Sequence, residues 1–191
     1  YFFNAYKSGH IDRIVSSNTD SIDTYAIRLK DLVDLVKYRT NKDKVIIIAH
    51  SMGGIVVRRY VQIFGGEDVE KMVLITVPNH GVDGKVGDYC SVIGPEASCR
   101  DLSKDSILMN KLNTGPISTV PTYNIIGTGC DMGGETGDGI IKNSSQYLAY
   151  ANNYYINGVC NDLNFDFFHE SIISPDKYPR VYDIIKGIIK A

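Results

Sequence analysis

Tryptophan is absent from the 191 residues, and only four histidines and four cysteines are present. That scarcity lets each histidine and cysteine be weighed by itself. No apolar run approaches the roughly 20 residues that a membrane-spanning helix requires, so no membrane span is expected. Neither sign of charge dominates, with 20 Lys and Arg against 22 Asp and Glu and a formal net charge of -2. So balanced a chain offers no basic field, and a nucleic-acid partner is not expected. A G-x-G-x-x-G string after a strand is missing, which argues against a Rossmann-like nucleotide binder. The cysteines form no C-x-x-C pair and have no histidine at zinc-ligand spacing. The D-x-D-x-D-G spacing of a calcium hand is also missing. The reading therefore calls for no metal ion and no cofactor. Internal repeats, low-complexity tracts and linkers are lacking too, and the length suits one domain spanning 1–191.

What is present is ordinary for a globular protein, with 43% apolar and 22% charged residues. Tyr1, not Met, opens the chain. It is expected to begin inside a longer gene product, so the lack of a signal peptide is uninformative. Cys90, Cys99, Cys130 and Cys160 lie in loop-like surroundings. An even count there favours disulfides and an oxidising, secreted setting over reduced thiols. Of the three possible connectivities, Cys90–Cys99 is favoured because the pair brackets a short Gly/Pro/Ser segment, which leaves Cys130–Cys160. Asn143-Ser144-Ser145 is a glycosylation sequon, a triplet that also arises by chance.

Periodicity organises the rest. Ile22, Tyr25, Ala26, Leu29, Leu32, Val33 and Val36 recur at helical spacing, and Asp20 suits the N-cap. Val45 to Ala49 reads as a strand buried on both faces, followed by helical spacing from Ile55 to Phe64 and a stop at Gly65-Gly66. Met72 to Val77, Thr122 to Ile126 and Tyr154 to Val159 read as further strands. Ile107 to Leu112 and Val181 to Ile189 read as helices, with Pro179 near the first turn of the latter. Residues 81–117 read as an irregular, lid-like excursion. Strands alternating with helices predict an α/β fold, an open and mostly parallel sheet with helices on both faces.

One stretch carries chemistry. In "KVIIIAHSMGGIVVRRYVQIF" a buried-type strand becomes a helix across A-H-S-M-G-G. A serine hydroxyl is a weak nucleophile unless a base takes its proton. A strand-to-helix elbow lifts Ser51 clear of the sheet and aims a helix N-terminus at it, and the sharp bend demands small neighbours. Ala49, Gly53 and Gly54 supply them. The other reading is a tight turn in which Ser51 caps the helix.

This string resembles the nucleophile elbow of the α/β-hydrolase fold, G-x-S-x-G, and most closely its lipase branch, with Ala49 in place of the first glycine. The resemblance implies a triad in chain order Ser, acid, His. His10 precedes Ser51 and fails that order; His50 abuts the serine and should point away into packing; His80, in "VPNHG", resembles a structural or pocket-lining position. That leaves His169, after the last strand and before the last helix. The acid should follow the strand Thr122 to Ile126, where Asp131, Glu135 and Asp138 stand. "GDGII" resembles the family's acid string and favours Asp138, with Asp131 second. The implied roles are Ser51 as nucleophile, His169 as base, Asp138 as its brace and the Met52 N–H as oxyanion donor.

The family's second oxyanion donor lies on a loop after an early strand, often as H-G or G-G-G, and no such string precedes Ser51. The resemblance therefore implies a fold incomplete at its N-terminus. An N-terminal fragment of the same gene product, or a neighbouring copy, is the expected partner completing the sheet. "C…C-R-D-L-x-x-x-S", ending at Ser106, resembles extracellular lipase-like and GPI inositol-deacylase-like members, which implies lipid-like ester substrates and an acyl-enzyme. The alternatives are a hydrolase-fold binding module without turnover, or a thioesterase, amidase or lactonase.

Overall fold

A computed structural model of the chain describes residues 21–83, 96–160 and 168–191, with the backbone of four two-residue strands before residue 16. Those four pair antiparallel, Phe2–Phe3 with Ile14–Val15 and Tyr6–Lys7 with His10–Ile11.

Ile22–Thr40 forms helix α1. Its cap is Ser21, whose hydroxyl accepts the Thr24 N–H at 3.3 Å, one residue later than the expected Asp20. Asn41 ends the helix in the left-handed conformation (φ 52°), and its N–H bonds the Lys37 carbonyl. Strand β1 follows (Val45–His50), then α2 (Met52–Phe64) and β2 (Val69–Ile75). After α3 (Glu96–Leu102) and α4 (Ile107–Thr114) come β3 (Thr122–Thr128), α5 (Asn143–Gln146), β4 (Asn152–Asn157), α6 (Phe168–Ser171) and α7 (Pro179–Lys190).

The four labelled strands form one parallel sheet in the order β4-β3-β2-β1. Side chains alternate across it. Met72 and Leu74 of β2 join α1, α2 and α4 in one apolar layer; Val73 and Ile75 join α6 and α7 in the other. Parallel strands need such cover on both faces, and the architecture is the open α/β sheet that the sequence predicts. Gly54 lets α2 settle on the sheet: a Cβ there would stand 3.0 Å from the Val77 Cβ.

The expected burial of β1 on both faces is not met, because Ile48 is 46% exposed. Among the described residues β1 is the last strand of the sheet, with no strand beside its outer edge. Such an edge presents a row of backbone donors and acceptors. Of the lid-like segment 81–117, residues 84–95 lie outside the described residues. The described part gives Leu102, Leu108, Met109 and Leu112 to the core. No described helix is long and apolar enough to cross a membrane.

Candidate active site

The candidate residues sit where three of the four parallel strands end, the side of such sheets on which ligands bind. Ser51 follows β1, Asp138 follows β3, and His169 lies on α6 after β4.

The elbow is strained. Ser51 has φ 54° and ψ -132°, a region that residues with a Cβ rarely adopt. Its hydroxyl does not cap α2, which removes the reading of Ser51 as a capping serine. Instead it stands 2.8 Å from His169 Nε2. The Met52 N–H is among the first N–H groups of α2, which have no intrahelical acceptor and carry the positive end of the helix dipole.

The acid is built into a loop stapled by backbone. Asp138 is fully buried. Its Oδ1 accepts the Ile140 and Ile141 N–H groups at 2.9 and 2.6 Å, and its Oδ2 accepts from His169 Nδ1 at 2.7 Å. The Asp138 carbonyl also accepts the His169 N–H at 3.0 Å. With its Nδ1 proton on a carboxylate, the imidazole leaves Nε2 as the acceptor for the serine proton.

The other candidates are occupied elsewhere. Asp131 accepts the Gly133 and Gly134 N–H groups within its own turn. Glu135 accepts the Ser144 N–H and hydroxyl at 2.6 and 3.0 Å. His80 is exposed and bonds the Tyr147 carbonyl. The amide nitrogen of Asn143, which a glycan would need, donates to Thr128 and Thr136, each at 2.8 Å.

Two residues act here that the sequence did not reveal. Gln146, fully buried, joins the acid loop to β3. It accepts the Gly127 N–H at 2.9 Å and donates to the Gly127 and Ile141 carbonyls at 3.0 and 2.8 Å. His50 does not turn away into packing as expected. Its Nε2 reaches the His169 carbonyl at 2.8 Å, and the two rings lie 4.9 Å apart. His50 stands inside the A-H-S-M-G-G string, yet nothing local shows that it reaches a carbonyl 119 positions away, and no short motif marks Gln146.

Burial pushes the His50 imidazole down to about 4 from 6.5; charge on His169 adds to this, while the carbonyl bond and Asp138 oppose it. A base that binds its proton more weakly when folded destabilises the fold as pH falls, because the unfolded chain takes the proton first. Stability is therefore expected to fall between pH 6.5 and about 4, by up to about 3 kcal/mol from this group. Urea titrations at both ends of that window should show the loss in the native chain, and a smaller one in His50→Gln. Equal losses would remove His50 as the cause.

The Cys130–Cys160 disulfide joins the end of β3 to the chain after β4, with 5.5 Å between Cα atoms and a sequence separation of 30. The Cys90–Cys99 pairing involves Cys90, which lies outside the described residues. Closing a loop of that length restricts the unfolded chain by about 3–4 kcal/mol. Replacing Cys130 and Cys160 together by serine is expected to lower unfolding stability by about that amount. An unchanged urea midpoint would contradict it.

A cleft of about 760 Å³ opens beside Ser51 and His169, running between β1, α1 and α2 over Tyr25, Leu29, Ile47 and Val56. It follows the outer edge of β1 and is mainly apolar.

A family model described as Lipase (class 2) matches residues 4–154 of the sequence. The chain belongs to the class 2 lipases. This lipase is a carboxylic ester hydrolase. No curated protein matches its sequence significantly. Among solved structures, the mature form of lipase BlEst2 from Bacillus licheniformis superposes with a TM-score of 0.68 at 16% identity, covering 87% of this chain and 75% of that one. Its propeptide form gives 0.65 at 16% identity, with the same 87% of this lipase covering 41% of the longer chain. Phospholipase PlaB from Legionella pneumophila gives 0.57 at 18% identity, over 71% of this chain and 36% of that one. At such identities the likenesses speak to the fold.

Proposed function

We propose that this lipase cleaves lipid-like carboxylic esters through Ser51, His169 and Asp138. The observation that carries the reading is the unbroken relay Asp138 Oδ2, His169 Nδ1, His169 Nε2, Ser51 Oγ, with contacts of 2.7 and 2.8 Å. As Ser51 Oγ attacks the ester carbonyl carbon, its proton passes to His169 Nε2, and the carbonyl π electrons move onto oxygen. The Met52 N–H donates to that oxyanion. Collapse breaks the ester C–O bond, and His169 returns the proton to the departing alcohol. Water then attacks the acyl-serine, giving its proton to His169, and the acid leaves as Ser51 recovers the proton. Asp138 keeps the Nδ1 proton in place and offsets the imidazolium charge throughout.

The apolar lining of the cleft supports a lipid-like acyl group. The disulfide supports an oxidising, secreted setting. Among the described residues no strand lies beside the outer edge of β1, which supports a completing strand from an N-terminal fragment of the same gene product or a neighbouring copy, with the second oxyanion donor on its loop. Each such donor is worth about 10²–10³ in rate.

A fluorophosphonate probe tests the reading. Covalent labelling on Ser51, located by peptide mass, together with p-nitrophenyl ester turnover, is the expected result. A folded chain that neither labels nor turns over would instead be a binding module.

A further inference from the structure

One contact of His169 outside the proposed relay is made by the residue next to the nucleophile. We infer that His50 is a positioning residue for the ester hydrolysis: its Nε2–H, donated to the His169 carbonyl, fixes the backbone on which the working imidazole is mounted. The inference rests on the serine-hydrolase reading above.

His169 hangs from α6, a helix of one turn. The Phe168 carbonyl accepts the Ile172 N–H at 2.9 Å, while the His169 carbonyl takes its donor from His50. So short a helix has little stability of its own. Its placement therefore depends on what grips it from outside. The His169 N–H is held by the Asp138 carbonyl at 3.0 Å, and its C=O by His50 Nε2 at 2.8 Å. His50 belongs to β1 and pairs with Ile75 of β2, so the grip comes from the sheet.

The connection is also a closed ring. His50 and Ser51 share a peptide bond; Ser51 Oγ reaches His169 Nε2 at 2.8 Å; the His169 carbonyl returns to His50 at 2.8 Å. The separation of nucleophile and base is thus set by one covalent link and two hydrogen bonds. Without the His50 bond, the helix carrying the base would still be held through Asp138, but its distance from the elbow would no longer be fixed. Proton transfer is sensitive to that distance.

Charge supports the same role. The ring centroids are 4.9 Å apart. A second cation there would oppose the imidazolium that the proposed mechanism forms on His169. His50 stays neutral because its surroundings are apolar: Ile75, Ile172 and Tyr178 line a cavity of about 230 Å³ beside it. A neutral imidazole on a carbonyl acceptor carries its proton on Nε2 and remains a donor through the cycle.

The test has two readouts. In the 191-residue chain, nitrogen NMR of His50 should show the neutral Nε2–H form from about pH 5 to about pH 9. The Nδ1–H form, or a midpoint near the ordinary 6.5, would overturn the inference without reference to any variant. Kinetics then separate His50→Phe, which fills the space without a donor, from His50→Gln, whose amide nitrogen replaces Nε2. The Phe variant should lose about tenfold in kcat with KM within about twofold, and the Gln variant should recover to within about threefold of native. Native kcat in the Phe variant, or equal losses in both, would sink it. Should the Phe variant not fold, His50→Leu takes its place beside Gln. An unmutated chain that neither turns over nor labels with fluorophosphonate would instead count against the serine-hydrolase reading itself.

Discussion

Ser51→Ala is expected to lower kcat for a p-nitrophenyl ester by about 10⁴–10⁶-fold, the range seen when an activated nucleophile is removed. The hydroxyl is the one group of the proposed relay that can form the acyl bond, and its only hydrogen-bond partner there is His169 Nε2. Circular dichroism and the urea midpoint should stay near native, because Ser51 caps nothing. Ser51→Gly sharpens the test. It removes the same hydroxyl and also relieves the strained φ of 54°, so it should be inactive yet more stable by about 1 kcal/mol. Such a pairing marks a backbone strained for the position of its side chain. Activity retained above a tenth of native in the alanine variant would take Ser51 out of the mechanism.

The second large effect is expected from Asp138→Asn, a loss of about 10⁴ in kcat with little change in KM. The argument is one of proton inventory. Asp138 Oδ1 already accepts two backbone N–H groups, from Ile140 and Ile141. An asparagine must keep its oxygen there, so its NH₂ turns toward His169. The imidazole then has to accept at Nδ1 and carry its proton on Nε2, where it cannot take the proton of Ser51. The substitution changes one atom and little volume, so fold and substrate binding should persist. Nitrogen NMR of His169 should show the tautomer reversed. A kcat within tenfold of native, or an unreversed tautomer, would contradict the assignment of Asp138 as the brace.

Much of this was legible because its signals are local. The amphipathic period of α1, the aliphatic run of β1 and the glycines after Ser51 each concern residues within one or two turns of each other. Tight bends and buried strands place demands on composition that can be read directly. The chain order that the resemblance implies then ranked the histidines and acids, and the residues it ranked first stand within 2.7 and 2.8 Å of one another in the fold. Besides the placement of His50, two local readings missed. Asp20 was expected as the cap and Ser21 takes the role, since both types accept an N–H equally well and only the position where the chain enters the helix separates them. β1 looked buried on both faces because its aliphatic run is that of a covered strand. The exposure of Ile48 depends on what lies beside that strand.

The sequence by itself determined the α/β architecture and marked a tight strand-to-helix bend at Ser51, because periodicity and turn chemistry act over a few residues; the candidate partners of Ser51 came from the resemblance. Only the tertiary structure decided that Ser51 turns to His169 and does not cap α2, that Gln146 secures the acid loop, and that His50 reaches across 119 positions to the carbonyl of His169. Each of these is a hydrogen bond between a side chain and a distant group. Its existence depends on where the sheet sets two chain ends in space, and that carries no local mark.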